Sequence, residues 1–404
     1  MSKLLLAAII GAVLVAGVAI SPLLSGQLQV AHAQEKTKTK KVLLVAVEKP
    51  LQVSPDNALH PGGIWYNAYT FNGTIPGPVI AVDQGDTLEI TLKNDGKAIH
   101  SLDFHAGYGP EHALSGSVKP GESKTWTLKA EFPGVFLYHC GADGLNGIWE
   151  HMANGMYGGI VVHPTNEAKA KEFYVVFSEL YNSADKGPFV GTSGTVGSFD
   201  LTKLWTNQPD LVLTNGMSFK YVPAIGQVNK LVLNKDAQLF KVKPGELTRW
   251  YIVNAGPNDG VSFHFISGMI SAHDGTNKAN DALGTQLWND ETYWITPASG
   301  SVIEATFPSP GLYVGVDHAM KDVLRGGAFA VVADGNSTDK DHPPGTWVPP
   351  KGSDKVGGES MSEEQMMASN MTASNATESN MAASNATESN MAASNATESN
   401  ATAS

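Results

Sequence analysis

The 404-residue chain has a single cysteine, Cys140, so no disulfide can form within it. Basic residues are also scarce, because 27 Lys and Arg stand against 39 Asp and Glu, for a net charge of −12. This balance argues against a nucleic-acid partner, which would require a basic surface. After the N-terminal segment, no apolar run is long enough to cross a bilayer.

The first 33 residues have the features of a secretory signal segment. Lys3 provides a short positive region, residues 4–20 are almost wholly apolar, and Ala31-His32-Ala33 has the small-x-small form of a cleavage site. A proline and a glycine interrupt the apolar run before that site, which favours cleavage over a retained membrane anchor. We therefore expect residues 1–33 to be a signal peptide and the protein to be exported, in the periplasm or another extracytoplasmic space.

Short strand-like segments follow from residue 41 to about residue 165. They are rich in Val, Ile, Thr and aromatic residues, and Gly and Pro separate them. Residues 87–92 and 125–128 alternate polar and apolar side chains, as strands with one buried face do. No long segment has a helical period. The sequence therefore predicts an all-β fold built from an antiparallel β-sandwich.

The same pattern then occurs a second time. A Gly-containing turn, a strand and His100 are repeated as a similar turn, strand and His264, and the strand that leads to His139 is repeated by one that leads to His318. Without the signal segment and the tail, about 310 residues remain, which is enough for two domains. We predict tandem sandwiches over residues 42–165 and 166–345. The second copy has no cysteine.

The C-terminal part of the chain has a different composition. A Ser-Asn-Met-Ala-Ala-Ser-Asn-Ala-Thr-Glu unit repeats with almost no large apolar residue except Met. Such a sequence cannot bury enough surface to fold, so we predict a disordered tail over residues 346–404. Its Asn-x-Thr acceptors and its thioethers leave a glycosylated or copper-binding tail as alternatives to a merely solvated one.

The single cysteine lies in a pattern of metal-binding side chains. His139-Cys140 is followed by His151 and Met156. A thiolate and two imidazoles in a trigonal set, with a weak axial thioether, form a blue-copper centre. His100 is the candidate for the second imidazole. The alternative is that Cys140 is only a small buried apolar residue, which leaves the spacing of these side chains unexplained.

Strand alternation assigns the other histidines to a second site. Successive side chains of a strand point to opposite faces, so His139 points away from Cys140, and His105 points away from His100. His105 and His139 should therefore form a pair that faces another metal. A catalytic metal usually has three protein ligands and an open position, so we expect a third ligand from the second domain. The candidates are His264 and His318.

Taken together, these motifs closely resemble the two-domain copper-containing nitrite reductases over roughly residues 41–332. The resemblance implies two tandem cupredoxin-like Greek-key β-sandwich domains. The motifs that carry it are Ile99-His100 with Asp103-Phe104-His105, Tyr138-His139-Cys140, His151 with Gly155-Met156-Tyr157-Gly158, Phe263-His264-Phe265-Ile266 and Asp317-His318.

The resemblance also implies a role for each site residue. Type 1 copper, which accepts electrons, would be bound by His100, Cys140, His151 and Met156. Type 2 copper, where nitrite becomes nitric oxide, would be bound by His105, His139 and His318. The proton-delivering pair would be Asp103 and His264, with Ile266 packed over the substrate. The resemblance further implies a homotrimer in which a neighbouring subunit donates His318, and a small electron-donor protein such as a cupredoxin or cytochrome c.

The sequence departs from the family pattern in two places. The loop over residues 141–150 is longer and richer in Gly than the usual Pro-containing loop of the family. Met269 stands where many relatives have a second histidine, and His273 is a candidate for its supporting role.

Two other functions remain as alternatives. An oxygen-reducing two-domain multicopper oxidase would need several His-x-His pairs for a trinuclear cluster, and the chain has none. A blue-copper electron carrier would need only the type 1 site. That function would leave the histidines outside the type 1 site without a role.

Overall fold

Strands account for most of the regular structure in this protein. The computed structural model describes residues 37–57, 60–109, 116–141, 147–183, 196–227, 230–273 and 286–358. The predicted signal peptide and the repetitive sequence after residue 358 lie outside these ranges. The all-β prediction is confirmed.

The strands are numbered in chain order. Those before residue 165 are β1 Thr39–Ser54, β2 Ile64–Phe71, β3 Ile80–Asp83, β4 Thr87–Asn94, β5 Asp103–Phe104, β6 Ser123–Lys129, β7 Gly134–His139 and β8 Tyr157–His163. Those that follow are β9 Lys171–Leu180, β10 Val196–Gly197, β11 Leu211–Thr214, β12 Ala224–Gln227, β13 Lys230–Leu233, β14 Phe240–Val242, β15 Leu247–Gly256, β16 Val261–Phe265, β17 Ile270–His273, β18 Gln286–Asp290, β19 Thr292–Ile295, β20 Ser299–Thr306, β21 Gly311–Asp317 and β22 Ala328–Ala333.

The sheets repeat one topology twice. In the first sandwich, the order β2-β1-β4-β6 faces β3-β8-β7-β5, and β10 joins the edge beside β2. In the second sandwich, the corresponding orders are β11-β9-β15-β20 and β14-β22-β21-β16. The parallel pairs also match, since β1 with β4 and β3 with β8 correspond to β9 with β15 and β14 with β22. The predicted boundary between residues 165 and 166 lies between β8 and β9.

Alternation of side chains explains why these segments pair as they do. Along β4, every second residue is buried, and Leu88, Ile90 and Leu92 are fully enclosed in the core of the first sandwich. Burying one such side chain contributes about 1.5–3 kcal/mol. An aromatic cluster that includes Trp250 and Phe329 fills the second sandwich.

Helices are few and short in the part of the chain that the structure describes. They are α1 Ile148–Ala153, α2 Leu201–Trp205 and α3 Met320–Val323. None of the described helices has the length and apolar character needed to cross a membrane. The first of these helices begins within the predicted long loop and extends beyond it. Residues 142–146 of that loop lie outside the described ranges.

The start of the predicted disordered tail requires correction, because residues 346–358 are ordered. Val348 is buried in a core cluster, and Gly357 forms a bridge with Val79 in the first sandwich. The buried ammonium of Lys40 donates to the carbonyls of Ser353 and Lys355. Apolar burial and hydrogen bonds therefore hold the segment in place. The low-complexity composition begins only after residue 358.

A buried charge network connects the linker between the sandwiches to the second sandwich. Arg249 of β15 lies in register with Glu172 of β9 and Glu304 of β20. Its guanidinium donates to both carboxylates, at 2.9 Å and 2.8 Å, and is 3.1 Å from Glu167 of the linker. Burial disfavours the charge, but the neighbouring anionic groups outweigh it and raise the pKa of Arg249. His163, at the end of β8, pairs with Glu167 at 3.1 Å.

Replacing Arg249 with Met should destabilise the protein strongly. The substitution would leave three largely buried carboxylates without the Arg249 cation. Breaking a buried ion pair in this way lowers the free energy of unfolding by about 3–5 kcal/mol. Chemical denaturation of both proteins at neutral pH would measure the difference.

Lys41→Met provides the matched control. The Lys41 side chain is 74% exposed and pairs with Glu89 at 2.8 Å, so its loss should change the free energy of unfolding by no more than about 1 kcal/mol. Equal effects of the two substitutions would contradict the structural role assigned to Arg249.

Candidate metal centre

Cys140 follows β7 directly, and its thiol lies between two imidazoles. The Sγ atom is 3.3 Å from Nδ1 of His151 and 3.8 Å from Nδ1 of His100, and the two nitrogens are 3.2 Å apart. The thioether of Met156 belongs to the same buried core cluster as Cys140. We refer to His100, Cys140, His151 and Met156 as the Cys140 cluster.

Separate elements bring these side chains together. His100 precedes β5 and forms backbone hydrogen bonds with Val118 in both directions. His151 lies in the last turn of α1, and the backbone N–H of Cys140 donates to the carbonyl of Met156 at 3.0 Å. Backbone hydrogen bonds and contacts among the four side chains therefore fix the geometry of the cluster.

The chemistry of the donor set suits copper. The backbone N–H of Ser101 donates to Sγ of Cys140 at 3.3 Å, which favours the thiolate form. Burial and the neighbouring His100 lower the pKa of His151 to about 4 against the opposing charge of Glu48, so its imidazole is neutral at pH 7. Donor atoms around one metal ion lie roughly 3–4 Å apart. A soft thiolate and two imidazoles at this spacing fit copper.

Sequence reasoning missed two residues beside this cluster. Oε1 of Glu48 is 2.9 Å from Nε2 of His100, and the Tyr69 ring meets the imidazoles of His100 and His151 edge-on, with centroids 5.8 and 5.0 Å away. Burial disfavours the Glu48 charge, but hydrogen bonds from His100 and from the backbone of Ala98 and Lys97 outweigh it and lower its pKa to about 2. Glu48 and Tyr69 are cross-strand partners in β1 and β2. The register of these two strands was the only feature that could have indicated both residues.

On the other side of β7, Asp103, His105 and His139 form what we call the first half-site. Nε2 of His139 is 3.2 Å from Nε2 of His105 and 3.4 Å from Oδ2 of Asp103. Asp103 and His139 are cross-strand partners in β5 and β7. His139 is buried, whereas His105 is exposed and the Asp103 side chain is 44% exposed. The half-site therefore opens to the surface.

The protonation of the first half-site suits metal binding. Nδ1 of His139 lies 3.1 Å from the Cys140 carbonyl; donation there leaves Nε2 without a proton and facing His105. Partial loss of solvent around the imidazole lowers the pKa of His105, while Asp103 and a hydrogen bond to the Ala298 backbone oppose this shift. Burial also lowers the pKa of His139, despite its bond to Cys140. Both imidazoles are neutral near pH 7 and can each offer a lone pair.

His264, Ile266 and His318 form the second half-site. The rings of His264 and His318 are 5.2 Å apart at an angle of 63°. Nδ1 of His264 donates to the Glu291 carbonyl, which leaves its Nε2 free. Ile266 is 49% exposed, and His318 is also exposed. The sequence repeat matched His264 with His100. The sheet topology instead aligns β16 with β5. His264 therefore lies within the strand that corresponds to β5, whereas His100 precedes β5.

Within the described part of one chain, the two half-sites do not combine. The ligand atoms of Asp103, His105 and His139 lie within 4.8 Å of one another, and His318 is not part of that group. Met269, noted above as a departure from the family pattern, is 55% exposed. The side chain of His273 lies outside the described residues.

Comparison with known proteins finds copper proteins among those that this chain resembles. A family model described as "Multicopper oxidase" matches residues 52–167. The copper-containing nitrite reductase of Neisseria meningitidis serogroup A is 32% identical over 295 residues, which cover 72% of this chain and 68% of the relative.

Solved structures are similar as well. A copper nitrite reductase from Nitrosomonas europaea is 33% identical, with a TM-score of 0.62 over 75% of this chain and 96% of that chain. A multicopper oxidase shares the fold alone, at 23% identity with a TM-score of 0.56 over 73% of this chain and 89% of that chain. The two-domain cupredoxin-like fold predicted from the sequence is confirmed.

Replacing Cys140 with Ala should abolish the copper–thiolate colour and remove copper from the Cys140 cluster. The thiolate is the soft donor that gives such a site its character, and two imidazoles with a weak thioether cannot replace it. Visible absorption and copper analysis of the purified variant would measure both effects.

His105→Ala provides the reciprocal control. It removes a donor from the first half-site and leaves the Cys140 cluster complete, so the colour should persist while about half of the copper is lost. A coloured Cys140→Ala protein would show that the thiol is not a metal ligand.

Proposed function

The chain belongs to the family of copper-containing nitrite reductases, and from this premise we propose that it reduces nitrite to nitric oxide. Each nitrite would take up one electron and two protons and release one nitric oxide and one water. The observation that carries the proposal is the adjacency of His139 and Cys140, which contribute to separate donor groups on opposite sides of β7.

We propose that the Cys140 cluster holds type 1 copper and that His105, His139 and His318 hold type 2 copper. Bound copper supplies a one-electron redox couple at the cluster and a redox-active position for nitrite at the histidine site. The protein links the two sites covalently through the peptide between His139 and Cys140. The enclosed cluster excludes water, whereas the open half-sites leave room for a small anion.

Asp103 and His264 are the proposed proton donors. Oδ2 of Asp103 lies 3.4 Å from Nε2 of His139, so its carboxyl group can reach a substrate bound beside that imidazole. His264 is held through Nδ1 by the Glu291 carbonyl, and its Nε2 can hold a proton. A positioned carboxyl group and imidazole are suitable general acids for this chemistry. Ile266, which directly follows β16 and lies two residues after His264, would pack over the substrate and restrict its orientation.

The proposed assembly is a homotrimer in which each complete type 2 site uses two chains. One chain would contribute the first half-site, and its neighbour would contribute the second. A cyclic trimer completes three such sites, because every chain carries both halves of a head-to-tail interface. The exposure of His105, Ile266 and His318 in the single chain supports this arrangement.

An external donor must return the electron that each nitrite consumes. We propose a small redox protein, a cupredoxin or a cytochrome c, as the sequence resemblance implies. The proposed location is extracytoplasmic, on the basis of the signal-like residues 1–33.

Copper stoichiometry and product analysis test the reaction. The proposal expects two coppers per chain and stoichiometric nitric oxide from nitrite with a chemical reductant. Four coppers per chain with oxygen consumption would identify an oxidase, whereas one copper without nitrite turnover would identify an electron carrier.

The assembly makes a separate prediction. Solution mass measurement should give a trimer, and His318→Ala should lose type 2 copper while it keeps the type 1 colour. Mixing His318→Ala with His105→Ala subunits should restore part of the activity, because some interfaces then combine two intact halves. An active monomer would rule out the shared site.

Asp103→Asn should separate proton delivery from metal binding. The substitution keeps the side-chain shape and removes the ionisable proton, and loss of a positioned general acid lowers the rate about 10²–10⁴-fold. We expect two coppers per chain, an unchanged type 1 spectrum, nitrite turnover lowered at least ~100-fold and a flattened pH–rate profile.

His264→Ala should behave in the same way as Asp103→Asn, since both residues are assigned to proton delivery. Near-normal turnover by Asp103→Asn would exclude its proton role. Loss of type 2 copper from this variant would instead make Asp103 a support for the metal site.

A further inference from the structure

The carboxylate of Glu48 is in direct contact with an imidazole of the Cys140 cluster, although no motif marked this residue. We propose that Glu48 is a positioning residue that fixes the tautomer of His100 and lowers the reduction potential of the type 1 copper. This inference rests on the proposed function, because it requires copper at the Cys140 cluster.

The contact belongs to a built site for the carboxylate. Oε1 of Glu48 is 2.9 Å from Nε2 of His100, whose side chain is fully buried. The backbone N–H of Lys97 donates to Oε2 at 2.8 Å, and that of Ala98 donates to Oε1 at 3.0 Å. Both oxygens are therefore held, and the Glu48 side chain is only 20% exposed. Charge-assisted bonds of this kind are stronger than neutral ones and fix the geometry.

The backbone near Gly96 is shaped around the same carboxylate. A Cβ atom at position 96 would lie 2.7 Å from both oxygens of Glu48. A side chain at this position would push the carboxylate away, whereas glycine lets the next two N–H groups bind it where it lies. From the other side, Tyr69 is the cross-strand partner of Glu48 and packs against His100.

This geometry determines which nitrogen of His100 can bind a metal. Nε2 carries the proton that is donated to Glu48, so Nδ1 keeps its lone pair. Nδ1 faces Sγ of Cys140 at 3.8 Å and Nδ1 of His151 at 3.2 Å. A carboxylate on the outer nitrogen orients a ligand imidazole and raises its basicity.

The fixed negative charge also affects the redox equilibrium. The oxidised copper carries one more positive charge than the reduced copper, so a nearby carboxylate stabilises the oxidised state more. Glu48 should therefore lower the reduction potential and weaken the tendency of type 1 copper to hold the electron. This would favour onward transfer of the electron toward nitrite.

Glu48→Gln tests the inference, because it keeps the shape and removes the charge. Redox titration of the type 1 colour in the copper-loaded trimer should show at least a tenfold shift toward the reduced form at a given solution potential, which is ~59 mV for one electron. Glu89→Gln is the matched control, since Glu89 is a carboxylate of the same sheet that pairs with Lys41. The midpoint potential of Glu89→Gln should match that of the wild-type protein.

Gly96→Ala provides a second test that keeps the charge. The added methyl group should displace the carboxylate from His100 and raise the potential in the same direction, by a smaller amount. If Glu48→Gln takes up no copper, the reduction potential of Gly96→Ala still tests the inference. Unchanged or lowered midpoints in the coloured variants would overturn the inference, whereas a wild-type protein without the colour would overturn the proposed function itself.

Discussion

The arrangement of the site depends on the alternation of side chains where β7 ends. His139 and Cys140 are neighbours in sequence, and the pleat directs them to opposite sides of the sheet. One side chain enters the enclosed Cys140 cluster, and the other enters the open first half-site. Pairing of β7 with β5 and β8 on its two sides fixes this geometry. Two environments that differ in burial and in donor type are therefore only one peptide bond apart along the chain.

These environments suit the different tasks that we propose for them. The Cys140 cluster is enclosed, and its geometry is held by backbone bonds and by Glu48, as electron transfer without rearrangement requires. The first half-site is open on one side, where Asp103 and His105 are accessible. A substrate and protons need such access. The two sites therefore differ in solvent exposure as well as in donor type, because the Cys140 cluster contains a thiol and the first half-site contains a carboxylate.

The sequence by itself determined the donor types and the class of fold. Cys140, His151 and Met156 could be recognised because residue identity fixes donor chemistry, and their spacing is local. Alternation within single strands, which is also local, predicted the all-β fold and divided His100 and His105 between two sites. The repeated pattern predicted the second sandwich, because a repeat in sequence folds into a repeat in topology.

Only the tertiary structure decided the contacts that depend on strand register and on close approach of distant segments. Glu48 reaches His100 because β1 pairs with β2 and because Gly96 lets the backbone close over the carboxylate. Residues 346–358 are ordered because they form hydrogen bonds with the first sandwich. Their composition does not reveal these contacts. Such contacts join residues far apart in sequence, so their energies depend on the assembled sheets and have no local signature.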